Sequence, residues 1–401
     1  MNHKERILAT LRGEPTDVLP FVPRLDNWYY AHEATNTLPD EYKHATLREF
    51  ADDLGVGFHS IVPNFKGWRE GGNRDLHVGL GIYDLELSPW IVKFHNVGIT
   101  HERKNNGELT VTYDTPKGNI KTTVAYTAEM LRSGITLYAH KEHALKDIDD
   151  YDALAYIYEN AEVIANYDAF SYYQQEYIGN RGIAVALSAM WASAGHYLIK
   201  ELMGFSDFYL ARFDDKDAMD DLVKRMTPFC ERLFDAAINS PAEAVLSGAN
   251  YDYNFTTPDL VEEYVVPELQ KQSDTAHRMG KFVATHTDGE NTMLLDKYVR
   301  ARIDIADSIC PKPLTNISLK ETRDVFRDKI TIWGGIPSTA LLTATATDKE
   351  FYEIVEETLE AIGPGDHMIM SVADTLPPAA DFSRLLYLKK KFEEFGPVNQ
   401  S

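Results

Sequence analysis

His286 and Asp288 stand two positions apart at the end of an apolar run, in Thr285-His286-Thr287-Asp288-Gly289. On extended backbone, residues two apart point to one side, and the glycine that follows lets the chain bend around an ion. The pair therefore has the makings of a metal or acid-base site. The same spacing also describes a hydrogen-bonded histidine followed by a helix N-cap, with Asp288 or Asn291 capping a helix near Thr292, and spacing alone favours the cap. A metal would need a third ligand. Cys310 and Asp374 both follow later apolar runs, although Cys310 also reads as a small buried hydrophobe beside Pro311 and Pro313, and Asp374 as an anchor before Pro377-Pro378. Glu290 is a less favoured choice.

A second group lies near the N-terminus, in Pro23-Arg24-Leu25-Asp26-Asn27-Trp28-Tyr29-Tyr30, with a counterpart in Tyr251-Asp252-Tyr253. Trp28, Tyr30 and Tyr251 are expected to wall a flat slot for an aromatic ring, with Arg24 and Asp26 holding a ring substituent and Asp252 joining His286 and Asp288 as a catalytic candidate. Core packing of the rings and a simple Arg24–Asp26 pair are the alternatives, and core is the better reading for one of Tyr29 and Tyr30, since one of them must face away. Cys230 lies in the helical stretch 226–234 and reads as core. His59, His95 and His101 have no partners at ligand spacing and read as structural or surface histidines. No GxGxxG, GxxxxGK[ST], GxSxG or HExxH pattern is present, which removes nucleotide-driven and serine-hydrolase chemistry.

These residues need a scaffold that gathers them. From residue 182 onward short apolar runs alternate with amphipathic stretches: strands are expected at 183–187, 244–246, 282–285, 303–308, 330–333 and 367–371, and helices at 258–279, 292–301, 319–327 and 349–362. This is the pattern of βα units around a parallel sheet, and in a (β/α)8 TIM barrel the polar loops after the strands converge on one mouth. The stretch 90–124 reads differently, as two or three alternating strands around Lys104-Asn105-Asn106-Gly107 and Thr115-Pro116-Lys117-Gly118. It is expected to be an antiparallel β insertion following an N-terminal extension. With no repeat and no linker composition, one domain over 1–401 is expected.

The chain has 401 residues, 44% of them apolar, and a formal net charge of −22, with no Lys/Arg cluster of the kind a phosphate backbone demands. No nucleic-acid partner is expected. No apolar run reaches the length of a membrane span, and two cysteines without CxxC pairing fit a reducing cytoplasm. A homodimer is compatible with the sequence.

Segments spread in order along the chain carry a resemblance. Arg6-Ile7-Leu8 through Leu11-Arg12-Gly13-Glu14-Pro15, Val18-Leu19-Pro20-Phe21, Tyr113-Asp114-Thr115-Pro116-Lys117-Gly118, Gly248 to Asp252, Thr285 to Gly289 and the strand with Gly334-Gly335-Ile336, followed by the loop from Ser371 to Pro378, resemble the uroporphyrinogen decarboxylase superfamily, on its corrinoid-dependent methyltransferase branch. True porphyrinogen decarboxylases carry a double-arginine N-terminal signature, whereas this chain has one Arg and three aromatics there. The resemblance implies a methyltransferase that demethylates a methoxylated aromatic compound and passes the methyl group to Co(I) of a separate corrinoid protein. It also implies zinc, and so reverses the preference for the cap, with His286, Asp288, Cys310 and Asp374 as the candidate ligands. The thiol-directed members place His-x-Cys and a later Cys where this chain has Asp288 and Asp374; carboxylates leave zinc a harder Lewis acid, which suits an ether oxygen better than a thiolate. A metal-assisted decarboxylase and a thiol-directed cobamide methyltransferase are the alternatives.

Overall fold

The computed structural model describes residues 1–61 and 74–399. Among the described residues the strands are β1 (Trp90–Phe94), β2 (Gly98–Arg103), β3 (Glu108–Thr115), β4 (Gly118–Ala125), β5 (Ala139–Glu142), β6 (Ala161–Ala165), β7 (Val185–Ala189), β8 (Ala244–Ala249), β9 (Phe282–His286), β10 (Ile305–Ile309), β11 (Thr331–Pro337) and β12 (Met368–Ala373). β7 to β12 form one parallel sheet in chain order. Every residue of β7, β8, β10, β11 and β12 is buried, as expected of parallel strands covered on both faces.

Alternation along these strands sorts the side chains into two cores. Val185, Leu187, Ala244, Leu246, Ala284, Ile305, Trp333 and Ile369 pack together as an inner cluster. Their sequence neighbours, such as Ala186, Val245, Val283, Ala306, Ile332 and Met370, belong to a larger cluster shared with the covering helices, among them Lys216–Ile238, Val266–Arg278 and Asp348–Ile362.

Two extended N-terminal segments bridge the edges of the sheet. The Val22 amide donates to Met370 O (2.9 Å) and the Met370 amide to Pro20 O (2.8 Å); the Gly57 amide donates to Phe21 O (3.0 Å) and the Phe58 amide to Arg181 O (2.9 Å), just ahead of β7. This arrangement is consistent with a TIM barrel. Two of the places that the sequence expectation gives to regular strands are taken by these short segments. Pro20 and Pro23 flank Phe21-Val22 and remove the donors that would lengthen a ladder there.

The antiparallel region extends further than 90–124. β2, β3 and β4 form the expected meander, but β4 also pairs with β5, and β1 pairs with β6 in a separate two-stranded ribbon. At the first hairpin Gly107 has φ +87, and a Cβ there would fall 2.1 Å from Tyr126 O, so the turn requires glycine. Among the described residues no helix is long and apolar enough to cross a membrane.

Candidate metal and acid-base site

His286 ends β9 two residues after Ala284 of the inner cluster, so its imidazole points inward and is 3% exposed. Asp307 follows Ile305 on β10 in the same way. A register shift between Asp307 and Ile309, with Ser308 at φ +67, breaks the alternation of β10, and both neighbours reach the site: Asp307 Oδ2 meets His286 Nδ1 at 2.6 Å and Ser308 Oγ donates to Asp374 Oδ1 at 3.0 Å. Asp374 follows β12 directly. Its Oδ1 also accepts from Arg24 Nη1 (2.9 Å) and lies 3.4 Å from His286 Nε2.

His286, Asp288 and Asp374 each offer a ligand atom, and these atoms lie within 4.8 Å of one another. Ligands of a tetrahedral zinc at about 2.0 Å stand about 3.3 Å apart, close to the observed His286–Asp374 separation. The hydrogen bond to Asp307 at Nδ1 leaves Nε2 as the ring atom facing Asp374. One nitrogen and two carboxylate oxygens are a sound donor set for zinc or another divalent ion, so the residues fit such a group.

The electrostatics point the same way. Burial, then the charge of Asp374, pushes the Asp288 carboxyl up. Burial opposes ionisation of Asp374 as well, but Arg24 and His286 outweigh it and hold that carboxyl low. For His286, burial disfavours the charged ring, yet Asp374 and Asp307 outweigh it and raise its proton affinity. Asp26, Asp288, Asp307 and Asp374 thus gather at the site, and among the described residues Arg24 bridges two of them, donating from Nε to Asp26 Oδ1 at 3.0 Å and from Nη1 to Asp374 Oδ1. A cation would relieve this excess of negative charge.

The other expected site residues are placed as follows. Cys310 lies outside the ligand set; its thiol contacts Ala373 O at 3.8 Å, and burial, followed by Asp288 and Asp374, pushes it up to about 12. Asp252 braces a loop, accepting from the Asn254 amide (2.9 Å) and the Glu290 amide (3.2 Å). Glu290 accepts from the amide and side chain of Asn316, each at 2.7 Å. The three aromatic residues expected to wall a slot are all buried. Trp28 is 2% exposed and stacks between Phe50 and Phe382, at 5.4 and 5.3 Å. Tyr251 is fully buried, stacked on His196 at 5.0 Å and accepting from Thr285 Oγ1 at 3.1 Å. Tyr30 is also buried. The cause is enclosure of the helix Asp26–Thr35 on all sides along this turn, since the four consecutive residues Trp28 to Ala31 are all buried.

His59 takes the structural of its two expected readings, with its side chain 3% exposed. Its Nε2 lies 3.0 Å from Asp307 Oδ1. His95 and His101 are exposed, as expected of surface histidines. The signal for Asp307 was present in the sequence as a charged residue on the apolar face of a strand; for His59 no local spacing reveals the partner.

A buried imidazole and carboxylates at the ends of parallel strands define a TIM-barrel-like enzyme centre, of the kind built where βα loops converge. The chain belongs to the uroporphyrinogen decarboxylase (URO-D) family, whose model matches residues 133–394. That span includes His286, Asp288, Cys310 and Asp374, whereas Arg24, Asp26 and His59 precede it. No curated protein matches the chain.

Proposed function

We propose that the protein is a corrinoid-dependent methyltransferase that demethylates a methoxylated aromatic compound. The observation that carries this reading is the cluster of buried His286 with half-buried Asp288 and Asp374, whose ligand atoms lie within 4.8 Å of one another. Arg24 has its Nε and Nη1 committed to Asp26 and Asp374, so it is poorly placed to receive a substrate with several carboxylates. His286, Asp288 and Asp374 would hold a divalent ion, zinc in this proposal. Bound there, such an ion supplies Lewis-acid character to an ether oxygen and so improves phenolate as a leaving group.

The chain's own groups position rather than attack. Arg24 and Ser308 fix Asp374 from two sides, and Asp307 fixes His286. Burial pushes the Cys310 thiol up, which disfavours its nucleophilic thiolate form, and the proposed acceptor of the methyl group is external. In the proposed transfer the methyl C–O bond breaks with its electron pair going to oxygen. The methyl carbon bonds to Co(I) of the partner corrinoid protein, which supplies the pair and becomes methyl-Co(III), and water returns a proton to the phenolate.

The test is a spectrophotometric assay for conversion of Co(I) to methyl-Co(III) with a panel of methoxylated phenols. Substrate-dependent methylation, lost in His286→Ala and Asp374→Ala, supports the reading. The family match leaves one rival open, metal-assisted decarboxylation of an acid. Carbon dioxide released with no corrinoid protein present would establish that rival instead.

A further inference from the structure

We propose that Asp307 and His59 are positioning residues for the candidate metal site, acting through His286 as a buried relay that aims its Nε2. This rests on the reading that His286 ligates a divalent ion. The relay is built at the centre of the sheet. Both oxygens of Asp307 are used, Oδ1 by His59 Nε2 at 3.0 Å and Oδ2 by His286 Nδ1 at 2.6 Å, and the side chains of Asp307 and His59 are 1% and 3% exposed. A carboxylate this deeply buried is tolerated when its lone pairs are filled, so each histidine contributes to holding it in place.

The carboxylate in turn sets the first ring. An anion at Nδ1 draws the proton to that nitrogen, which leaves the lone pair of the neutral imidazole on Nε2, the atom 3.4 Å from Asp374 Oδ1. It also fixes rotation of the ring about its bond to the backbone. Partners of this kind, one step back from the ligand, govern metal affinity by orienting it.

His59 is itself pinned. The amide of Phe58 donates to Arg181 O at 2.9 Å, the hydroxyl of Ser60 donates to Ile183 O, and Trp333 lies edge-on beside the His59 ring, with centroids 5.4 Å apart and planes at 79°. The position is thus clamped from both sides along the chain and from across the sheet. The β10 bulge completes the arrangement, since it lets Asp307 face His286 while Ser308 reaches Asp374. A histidine with no ligand-spaced neighbour in the sequence acquires its role only through this fold.

The test measures Zn²⁺ affinity of the apoprotein by competition with a chromophoric chelator, together with the ¹⁵N NMR tautomer of His286 and urea stability on the same preparations. Asp307→Asn is expected to weaken zinc binding about 10- to 100-fold, and His59→Phe, which keeps a ring but loses the donor, about 3- to 10-fold. His59→Gln, which retains an N–H near the Nε2 position, is expected to restore most of the loss, whereas a merely structural role would show no such rescue in affinity at equal stability. In the zinc-loaded wild type the proton should reside on Nδ1 of His286. Should Asp307→Asn fail to fold, the two His59 variants still decide the matter. Wild-type zinc affinity in His59→Phe, or a proton on Nε2 of His286 in the zinc-loaded wild type, would overturn the relay while leaving the metal site standing. A wild-type protein that takes up no zinc would overturn the metal reading itself, and the relay's purpose with it.

Discussion

Replacing Asp288 by Asn should make the metal-free protein more stable and the metal-loaded protein less so. The ligand oxygens of Asp288 and Asp374 lie within 4.8 Å, and burial and Asp374 together push the Asp288 carboxyl up, so the folded state holds two carboxylates against their repulsion. At an effective dielectric constant of about 20, like charges at that distance repel by about 3.5 kcal/mol, and attraction of Asp288 to His286 and Arg24 cancels part of this, leaving about 1–2 kcal/mol. Asn is isosteric and removes the repulsion. Its amide keeps an oxygen for the weak 3.5 Å contact from Asn250 Nδ2, so little else is lost. Zinc at a hundred times its dissociation constant would add about 2.7 kcal/mol to the wild type and much less to the variant. The assay is urea unfolding of both proteins, once in chelator and once in excess zinc. The variant should have the higher midpoint in chelator and the lower one in zinc. A variant that is weaker in chelator would mean that Asp288 is a structural brace, and an equal gain from zinc would mean that it is no ligand.

Three further outcomes are expected. Asp288→Cys should keep zinc, because zinc accepts thiolate readily, yet methylate cobalt about tenfold to a hundredfold more slowly, a loss of about 1–3 kcal/mol of Lewis-acid assistance; bound zinc and rate on one preparation check this. Trp28→Ala should cost about 3–5 kcal/mol of stability in urea, as for any large core aromatic, whereas a slot wall would instead raise KM with stability intact. His196 is pushed down to about 3, first by burial and then by Lys200, so the unfolded chain takes up a proton below about 6.5 while the folded chain does not. Stability is therefore lost as pH falls through that window, by up to about 2 kcal/mol between pH 6.5 and 5, and His196→Phe should remove this share of the slope in urea unfolding at the two pH values.

Much of the second half was legible because it obeys simple periodicity. The six expected strands coincide with β7 to β12 to within a few residues, since strands buried on both faces read as continuous apolar runs and their helices carry caps such as Thr347 with Glu350. β5 and β6 escaped notice because four or five residues such as Ala-His-Lys-Glu are too short to show a period. At the site, the pair two residues apart, His286 and Asp288, was readable as one cluster, and Asp374 joined it through strand-end logic. Arg24 was foreseen as a partner of Asp26 but not of Asp374, a contact across 350 residues that only the closing of the N-terminal segment onto β12 creates. Trp-Tyr-Tyr looks equally like a binding wall and like one enclosed turn of a short helix, so the sequence does not choose between them. Ser308 was hidden by its bulge, which sends two adjacent residues to one side where alternation predicts opposite sides.

The measurement that bears most directly on the central claim is single-turnover methyl transfer from a methoxylated phenol to Co(I) of a corrinoid protein, run on metal-loaded and chelator-stripped preparations of the wild type. The account predicts methyl-Co(III) formation that tracks bound metal one for one and disappears on stripping. Methylation at an undiminished rate after the metal is removed would contradict the role assigned to His286, Asp288 and Asp374, and carbon dioxide release with cobalt unchanged would contradict the reaction itself.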